Sequence, residues 1–335
     1  MAPSNPHIVA IEAIHCQMPD FDIPHSLSVH KWTQASELAD RIKDATVIIT
    51  TTIRLTAREL DPSVTPRLQL IVAMATGTDH IDKAAAKARG IVVCNCPGSN
   101  IQSVSDHALG LYFATRRKLP ILNQATTTVL PAPASDTEWK LTGSLRDRLR
   151  MSDSKGPLLS NEETMGIIGF GALGKRIAQM GQALGMTILA AERKGVSPRA
   201  DRTAFEDVLK QSTVLVVTVP RSPETMDLIS SDELRMMPPQ ALLLNVARGG
   251  IVNEAALLAA LKEGSISGAA TDVFEKEPAG QADSPLLGPQ AEGLNLVLTP
   301  HLAWYAESTL THLQRSVRLN VENWYAGKIT NEITC

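Results

Sequence analysis

Short apolar runs alternate with stretches of helical periodicity along most of the chain. In the first third the apolar runs lie at residues 7–14, 47–51, 68–75 and 91–95. Helical patterns at 36–43 and 80–89 separate some of them. Strands of a parallel sheet are buried on both faces and read as continuous apolar runs, and helices usually connect them. The first third therefore predicts a parallel sheet covered by helices.

A connecting region follows residue 98. It begins with a long helical pattern at 103–118 and reaches 126–133, which holds three threonines and then Pro131 and Pro133. Proline lacks the amide hydrogen that a helix interior needs, so residues 126–133 are predicted to be a loop.

From residue 165 the alternation becomes regular. Six apolar runs lie at 165–169, 187–191, 214–219, 241–246, 268–273 and 295–299. Six strands with helices between them predict a second sheet of the doubly wound α/β class. A final helical pattern at 305–325 either caps this second sheet or returns to the first one.

Length and charge narrow the class of protein. A chain of 335 residues suits two domains, and 44% hydrophobic and 20% charged residues are ordinary for a globular protein. The net charge of −3 comes without a basic block, since the nearest candidate, 146–150, is interrupted by Asp147. We therefore expect no nucleic acid and no anionic membrane surface as a partner.

The sequence carries no membrane, secretion or metal motif. No apolar run approaches the ~18 residues of a membrane span, and the first residues lack the basic and apolar regions of a signal peptide. Four cysteines do not make a disulfide framework in a chain of this size, and Cys94 and Cys96 are expected to be packed thiols. No cluster has zinc-ligand spacing. These features predict a cytoplasmic protein without a bound metal.

A glycine-rich motif follows the first strand of the second sheet. The motif is Gly169-Phe170-Gly171-Ala172-Leu173-Gly174, which fits G-x-G-x-x-G and leads into a helical run at 175–184. Gly169 permits the tight turn, Gly171 lets a pyrophosphate approach the backbone, and Gly174 lets helix and strand pack closely. The helix start offers unpaired N–H groups and a partial positive charge to phosphates. This context predicts a dinucleotide site, and the alternative is a glycine-rich turn that holds no ligand.

The residues after the next strand bear on which dinucleotide binds. Glu192 ends that strand, where an acid holds the ribose hydroxyls and disfavours the 2′-phosphate of NADP. Arg193 and Lys194 follow at once, and two cations there can clamp that phosphate. The signals conflict, so the cofactor is predicted to be NAD or NADP.

Three further strands of the second sheet each lead to an ionisable residue. These are Arg248, Glu277 and His301, and in an open parallel sheet ligands lie at the carboxyl ends of the strands. Arg248 can hold a substrate carboxylate and polarise a keto oxygen, while His301 can give that oxygen a proton. Glu277 can orient the imidazole and stabilise its protonated form. Each residue alone also fits a solvated surface position, but together they predict reduction of a keto acid.

These residues resemble the D-isomer-specific 2-hydroxyacid dehydrogenase family. The matching stretches are 169–174, 245–250, 272–278 and 299–301, and the likeness extends upstream to 77–82, 91–98 and 103–108. The resemblance implies two doubly wound, Rossmann-like domains flanking an active-site cleft. A flavodoxin-like substrate domain would comprise residues 1–98 with 301–335, and an NAD(P)-binding Rossmann domain would comprise residues 99–300. The last helix would then return to the first domain.

The resemblance also implies roles for individual residues. Arg248, Glu277 and His301 fall on the family's catalytic positions. Thr76 and Gly77 fall where backbone N–H groups bind the substrate carboxylate. The remaining cofactor contacts implied are Val104, Pro220 on the adenine side and Asp272 at the nicotinamide amide.

Within the family, the chain looks most like glycerate dehydrogenases, also called hydroxypyruvate or glyoxylate reductases. The runs 191–195 and 301–304 carry that likeness, and the second makes Trp304 an expected substrate contact. Such enzymes are homodimers in which a tryptophan near the position of Trp139 reaches the partner's active site. Asp106 stands where the family has Glu, Arg221-Ser222 replaces a Leu-Thr-like pair, and 144–161 is longer and more polar than usual. The third departure leaves the dimer arm and the preferred 2-keto acid open.

Two other functions share this scaffold. Formate dehydrogenases carry Gln where this chain has Glu277. Nucleotide-sensing transcriptional corepressors keep the fold and act by binding partners, but this chain lacks extended low-complexity tails for recruiting them. Turnover of hydroxypyruvate or glyoxylate with NAD(P)H would distinguish these possibilities.

Overall fold

The computed structural model describes residues 3–333, and the chain divides into two compact units. Unit 1 comprises Met1–Asn100 with Tyr305–Cys335, and unit 2 comprises Ile101–Trp304. Residues 99–100 therefore group with unit 1 and residues 301–304 with unit 2, unlike the boundaries expected from the sequence. His301 stays with the second sheet because its N–H donates to the carbonyl of Asp272 at 2.7 Å.

Unit 1 is built on a five-stranded parallel sheet in the order β2-β1-β3-β4-β5. The strands are β1 His7–Ala10, β2 Ser26–Val29, β3 Val47–Thr50, β4 Leu70–Ala73 and β5 Val92–Cys94. Helices α1 Ala35–Ile42 and α2 Lys83–Ala88 connect them, and their apolar side chains join the sheet in one core that includes Leu38, Ile42 and Ala86. The expected parallel α/β architecture is confirmed.

Strand β2 was not predicted from the sequence. Its four residues alternate Ser and apolar side chains, and Leu27 and Val29 remain 40% and 49% exposed at the edge of the sheet. An edge strand is buried on fewer sides than a central one, so it lacks the continuous apolar run that marked the other strands.

The last helix, labelled α10 and spanning Glu307–Tyr325, packs on the first sheet. Asn320 donates its side-chain amide to the carbonyl of Asn95, and the following segment pairs with β5 through Ile333 N–H and the carbonyl of Val93. The sequence left open whether this helix caps the second sheet or returns to the first, and the structure shows that it returns to the first.

Buried thiols lie beneath α10. Cys96 is fully buried, with its Sγ 4.0 Å from the carbonyl of Leu313, and Cys16 lies 3.9 Å from that of Leu310. Burial raises the pKa of Cys96 to about 12 and that of Cys16 to about 11, so both stay protonated near neutral pH. Cys94 and Cys96 are free and buried, which confirms that they are packed thiols.

Unit 2 contains a six-stranded parallel sheet in the order β11-β10-β9-β8-β6-β7. The strands are β6 Thr164–Ile168, β7 Thr187–Ala190, β8 Val214–Val217, β9 Leu242–Asn245, β10 Gly268–Thr271 and β11 Leu296–Leu298. All six predicted strands are confirmed; β6 starts and ends one residue earlier than predicted, and the other five are shorter than predicted. Alternate residues of β8 enter two different cores, Leu215 and Val217 on one face and Val214 and Val216 on the other. The direction of winding reverses between β6 and β8, where doubly wound sheets bind ligands.

Helices cover both faces of this sheet. They are α3 Ile101–Arg116, α6 Ala172–Ala183, α7 Phe205–Gln211, α8 Ser231–Met236 and α9 Glu254–Glu263. Two more helices, α4 Leu119–Thr127 and α5 Glu138–Thr142, follow α3 along the chain and have no buried residue. The prediction that the loop starts at Thr126 is wrong by two residues. The hydroxyls of Thr126 and Thr127 donate to the carbonyls of Leu122 and Asn123 four residues earlier, so both fit the last turn of α4.

A buried ion pair fastens α3 to the sheet. Arg116 and Glu163 are 1% and 0% exposed, and two guanidinium nitrogens reach the carboxylate at 2.6 and 2.8 Å. The same guanidinium donates to the carbonyls of Gln240 and Thr213. These partners precede β6, β8 and β9, so α3 is anchored at the edge opposite to the carboxyl ends of the strands.

The helices within residues 3–333 are all too short or too polar to cross a membrane.

Candidate active site

The glycine-rich turn after β6 has the geometry that a dinucleotide requires. Gly169 has φ +97°, and a Cβ there would lie 2.8 Å from the backbone of Thr218. A Cβ on Gly174 would lie 2.2 Å from the carbonyl oxygen of Gly169, so close packing of α6 demands glycine. By contrast, a Cβ on Gly171 would meet no atom of the protein within 4 Å. Open space at Gly171 fits the close approach of a pyrophosphate.

The surroundings of this turn also fit NAD(P). Helix α6 begins at Ala172 with Gly171 as N-cap, which has no side chain to cover the first N–H groups. Leu173 lies partly buried in the first turn of α6. Pro220 is exposed in the loop after β8, the loop that Gly169 touches, whereas Val104 is 6% exposed in the core between α3 and the sheet.

The carboxylate of Glu192 is held by its own loop. Glu192 is 5% exposed and accepts two hydrogen bonds from the guanidinium of Arg199, at 2.6 and 3.1 Å, and one from the N–H of Arg193. These bonds from Arg199 lower the pKa of Glu192 to about 2. Lys194 instead pairs with Glu233 at 2.7 Å, while the side chain of Arg193 is exposed. The acid beside the ribose position is thus ionised and paired with a cation.

The turns that follow β9 and β10 are in direct contact. Asn245 of β9 is paired with Thr271 of β10, and Thr271 with Leu298 of β11, so the three strands end level with one another. A Cβ on Gly249 would lie 1.8 Å from the carbonyl oxygen of Phe274. Glycine at 249 therefore lets the Arg248 turn pack against the turn that carries Glu277.

His301 and Glu277 form a hydrogen-bonded pair. His301 Nδ1 lies 2.6 Å from Glu277 Oε2, and the other carboxylate oxygen accepts the N–H of Phe274 at 2.8 Å. Each side chain is 32% exposed. Because a carboxylate only accepts, Nδ1 carries the hydrogen, which leaves Nε2 to exchange a proton. This is the arrangement of a general acid–base with its orienting carboxylate.

The turn that carries His301 is closely held. His301 has φ +55°, a conformation that residues other than glycine adopt rarely. Asp272, 1% exposed, accepts from Thr299 Oγ1 and from the N–H groups of Leu302 and Ala303. The indole N–H of Trp304 donates to the carbonyl of His301 at 2.8 Å.

Arg248 lies half-buried in the turn after β9. Its Nη1 donates to the carbonyl of Ala247 at 2.8 Å, and Asn245 donates to the carbonyl of Arg248 at 3.0 Å. These bonds fix the backbone of the turn and tie one edge of the guanidinium to it.

The other candidate residues lie elsewhere in the chain. Thr76 and Gly77 belong to unit 1, in the bend after β4, where the hydroxyl of Thr76 donates to the carbonyl of Cys96 at 3.3 Å. Trp139 lies on α5 and is 55% exposed. Within residues 3–333, no group of three or more His, Cys, Asp or Glu side chains is arranged to hold a metal ion.

Sequence reasoning missed three residues of this region. Arg199 follows Glu192 by seven positions, and no periodic pattern marks a pair in an irregular loop. Thr299 and His107 lie in stretches that carried the family resemblance, but neither was given a role. His107 Nε2 lies 3.0 Å from Thr299 Oγ1, across 192 positions of the sequence, so only the fold brings them together.

The fold and the site together define a dinucleotide-dependent oxidoreductase, and comparison with known proteins identifies the family. Residues 140–303 match the D-isomer specific 2-hydroxyacid dehydrogenase, NAD binding domain, family. The chain is 36% identical over 326 residues to glycerate dehydrogenase from Methylorubrum extorquens, covering 96% of each protein. The chain therefore belongs to the D-isomer specific 2-hydroxyacid dehydrogenase family, and it is an NAD(P)-dependent dehydrogenase.

Solved structures agree with this assignment. The D-lactate dehydrogenase from Aquifex aeolicus, complexed with NAD and lactic acid, is 27% identical with a TM-score of 0.75 and covers 90% of this chain and 89% of its own. The NADPH-dependent glyoxylate/hydroxypyruvate reductase from Sinorhizobium meliloti, in complex with NADP and malonate, is 25% identical with a TM-score of 0.73. It covers 98% of this chain and 97% of its own.

Proposed function

We propose that the protein reduces a small 2-keto acid to the D-2-hydroxy acid, with His301 as general acid, Glu277 as its partner and Arg248 as the substrate-binding cation. The observation that carries this proposal is the 2.6 Å contact between His301 Nδ1 and Glu277 Oε2 at the end of β11. Proton transfer requires an imidazole that is held in one orientation with its other ring nitrogen available.

The proton moves through Nε2 of His301. The nicotinamide, when bound, supplies or accepts the hydride at C2. In reduction, imidazolium Nε2–H gives its proton to the keto oxygen, which becomes the hydroxyl, and the ring is left neutral with Nδ1–H still bonded to Glu277. In oxidation, neutral Nε2 takes the hydroxyl proton. Glu277 keeps the ring oriented in both states and stabilises the imidazolium.

Arg248 supplies the positive charge. The planar guanidinium can hold a carboxylate through two parallel hydrogen bonds, which lysine cannot imitate. Thr76 and Gly77 are proposed to bind a substrate carboxylate through their backbone N–H groups, and Asp272 is proposed to lie near the nicotinamide amide. Pro220 and Val104 are proposed to border the cofactor, together with the glycine-rich turn.

The preferred substrate is proposed to be hydroxypyruvate or glyoxylate. The glycerate dehydrogenase of M. extorquens and the glyoxylate/hydroxypyruvate reductase of S. meliloti carry names of this kind, and the chain aligns with each over most of its length. The test is a panel of glyoxylate, hydroxypyruvate, pyruvate and bulkier 2-keto acids with NADH and NADPH. The highest kcat/KM should fall on one of the first two.

The same panel tests the roles of the residues. Arg248→Lys should lose at least ~10-fold in kcat/KM, since lysine keeps the charge but cannot donate two parallel hydrogen bonds to a carboxylate. Arg235→Lys, on a remote helical pair, is the matched control and should change nothing. Oxidation of formate without reduction of any keto acid would contradict the proposal, as would binding of NADH without turnover of any acid.

The cofactor preference is proposed to be relaxed between NADH and NADPH. The negative charge of Glu192, which would repel a 2′-phosphate, is paired with Arg199. Arg193 lies next to it with an exposed side chain, whereas Lys194 is engaged by Glu233. Of the cations in this loop, Arg193 and Arg199 are therefore the better candidates to meet a 2′-phosphate.

The protein is proposed to be a cytoplasmic homodimer joined through α4 and α5. Neither helix has a buried residue, although both carry large apolar side chains. Leu119, Val129, Trp139 and Leu141 are between 50% and 63% exposed in this short region. Apolar side chains at such density are typical of a subunit interface. Trp139 is proposed to reach the partner's active site.

A further inference from the structure

A series of hydrogen-bonded side chains connects helix α3 to the turn at residues 299–304. His107 Nε2 lies 3.0 Å from Thr299 Oγ1, and Thr299 Oγ1 lies 2.6 Å from Asp272 Oδ1. Asp272 in turn accepts the N–H groups of Leu302 and Ala303, at 3.0 and 2.9 Å. The chain thus connects α3 to the backbone directly after His301.

Hydrogen-bonding capacity fixes the direction of this chain. A threonine hydroxyl has one hydrogen, and the carboxylate of Asp272 can only accept, so Thr299 donates to Asp272. The oxygen of Thr299 must then accept from His107, and His107 Nε2 carries a hydrogen. Asp272 Oδ1 also lies 3.7 Å from this nitrogen, close enough to favour a donor there.

A second connection runs from α3 to the other end of the turn. Ser103 donates its hydroxyl to the carbonyl of Trp304 at 3.0 Å, and the indole of Trp304 donates to the carbonyl of His301. Ser103 and His107 are four residues apart on α3 and so share one face of the helix. Ser103 and His107, one helical turn apart on α3, therefore hold both ends of the loop that carries His301.

We propose that His107 and Ser103 are positioning residues for the proton transfer that accompanies reduction, acting on His301 through Thr299–Asp272 and through Trp304. This role rests on the proposed function of His301. The left-handed backbone of His301 is uncommon for residues other than glycine, and the surrounding hydrogen bonds hold it in place. The imidazole must stay aligned with the reacting oxygen, and misplacement by about 1 Å can cost up to ~100-fold in rate. His107 and Ser103 hydrogen-bond to the turn that carries the imidazole, so each acts through the turn.

The test compares His107→Leu with His107→Gln in the full-length enzyme. Leu removes the donor, whereas the Gln side-chain amide can donate from nearly the position of Nε2. In His107→Leu the kcat for keto-acid reduction should fall roughly tenfold or more. His107→Gln should recover kcat to within about threefold of wild type. His312→Leu on α10, an exposed histidine, is the matched control and should behave as wild type.

A slower chemical step has a signature that loss of stability alone lacks. With NADH deuterated at the transferred position, the isotope effect on kcat should be larger in His107→Leu than in the wild type. In His107→Gln it should be close to the wild-type value. Should His107→Leu fail to fold, Thr299→Val and Thr299→Ser provide the same comparison, since only Ser keeps the hydroxyl.

Two results would overturn the proposal. One is wild-type kcat in His107→Leu, and the other is a Gln variant as slow as the Leu variant with an unchanged isotope effect. Failure of the proposed function would be seen separately, as absence of keto-acid turnover in the wild-type enzyme.

Discussion

The pairing of Glu192 with Arg199 is the residue-level feature that bears most directly on cofactor choice. The acid alone would favour NAD, as the sequence indicated, but the structure places a guanidinium against it. With a pKa of about 2, Glu192 remains charged at every practical assay pH, so its effect on cofactor choice should not vary with pH.

Replacing Arg199 and replacing Glu192 should shift the preference between NADH and NADPH in opposite directions. Arg199→Gln leaves the charge of Glu192 uncompensated, so KM for NADPH should rise by about tenfold or more while KM for NADH changes little. Glu192→Gln should lower KM for NADPH relative to NADH. Lys194→Gln, whose lysine pairs with Glu233, is the control, and steady-state kinetics with both cofactors is the measurement. Equal effects of Arg199→Gln on both cofactors would show that Arg199 has no contact with a 2′-phosphate.

Site residues that directly follow a predicted strand could be identified from the sequence. Site residues placed by an irregular loop or by a contact between distant segments could not. Glu277 and His301 were chosen because strands of a parallel sheet end at one edge, and they form a 2.6 Å contact. Arg199 and His107 depend on an irregular loop and on a contact between distant segments, and no local pattern encodes either.

At the scale of elements, α3 joins two opposite edges of the second sheet. Its C-terminal end is anchored by the Arg116–Glu163 pair, and its N-terminal half holds the His301 turn through Ser103 and His107. The sequence predicted this helix within two residues at each end. The buried arginine could not be predicted, because a basic residue in a helix is usually exposed.

Breaking the Arg116–Glu163 pair should destabilise unit 2 strongly. Arg116→Met leaves the Glu163 carboxylate buried without its partner, which costs about 3–5 kcal/mol and should lower the Tm clearly. Arg235→Met removes an exposed pair and should cost ~0–1 kcal/mol. The double change Arg116→Met with Glu163→Leu should regain much of the loss, since no charge remains buried. Thermal unfolding followed by circular dichroism measures all three, and equal effects of Arg116→Met and Arg235→Met would contradict this role of the pair.

At the scale of the whole molecule, the apolar pattern predicted two parallel sheets because their central strands are buried on both faces. That prediction is confirmed for both units. The edge strand β2 and the end of α4 were not predicted correctly, because their stability comes from pairing and side-chain hydrogen bonds and not from apolar burial. Subunit assembly is likewise not encoded in the periodicity of one chain.

Assembly can be tested by placing a charge in the exposed apolar region. Sedimentation at micromolar concentration should show a dimer for the wild type. Leu119→Asp with Leu141→Asp should give a monomer, since burying unpaired carboxylates in an interface is costly. Ile329→Asp changes a similarly exposed apolar side chain outside α4 and α5 and should leave the dimer intact. A monomeric wild type would contradict the proposed dimer. Unchanged keto-acid selectivity in Trp139→Ala would contradict the proposal that Trp139 reaches the active site of the partner subunit.

Replacement of His301 and Glu277 tests the central claim most directly. His301→Ala removes the proton donor and should lower kcat/KM for keto-acid reduction by ~10²–10⁴-fold. Gln keeps the shape of Glu277 but not its charge, so in Glu277→Gln the imidazolium loses its ionic partner and only part of the rate should be retained. Glu277→Asp keeps the charge and should lose less, and steady-state kinetics of the three variants is the measurement. A Glu277→Gln enzyme with the kcat/KM of the wild type would contradict the account, because Glu277 would then not be the carboxylate that holds His301.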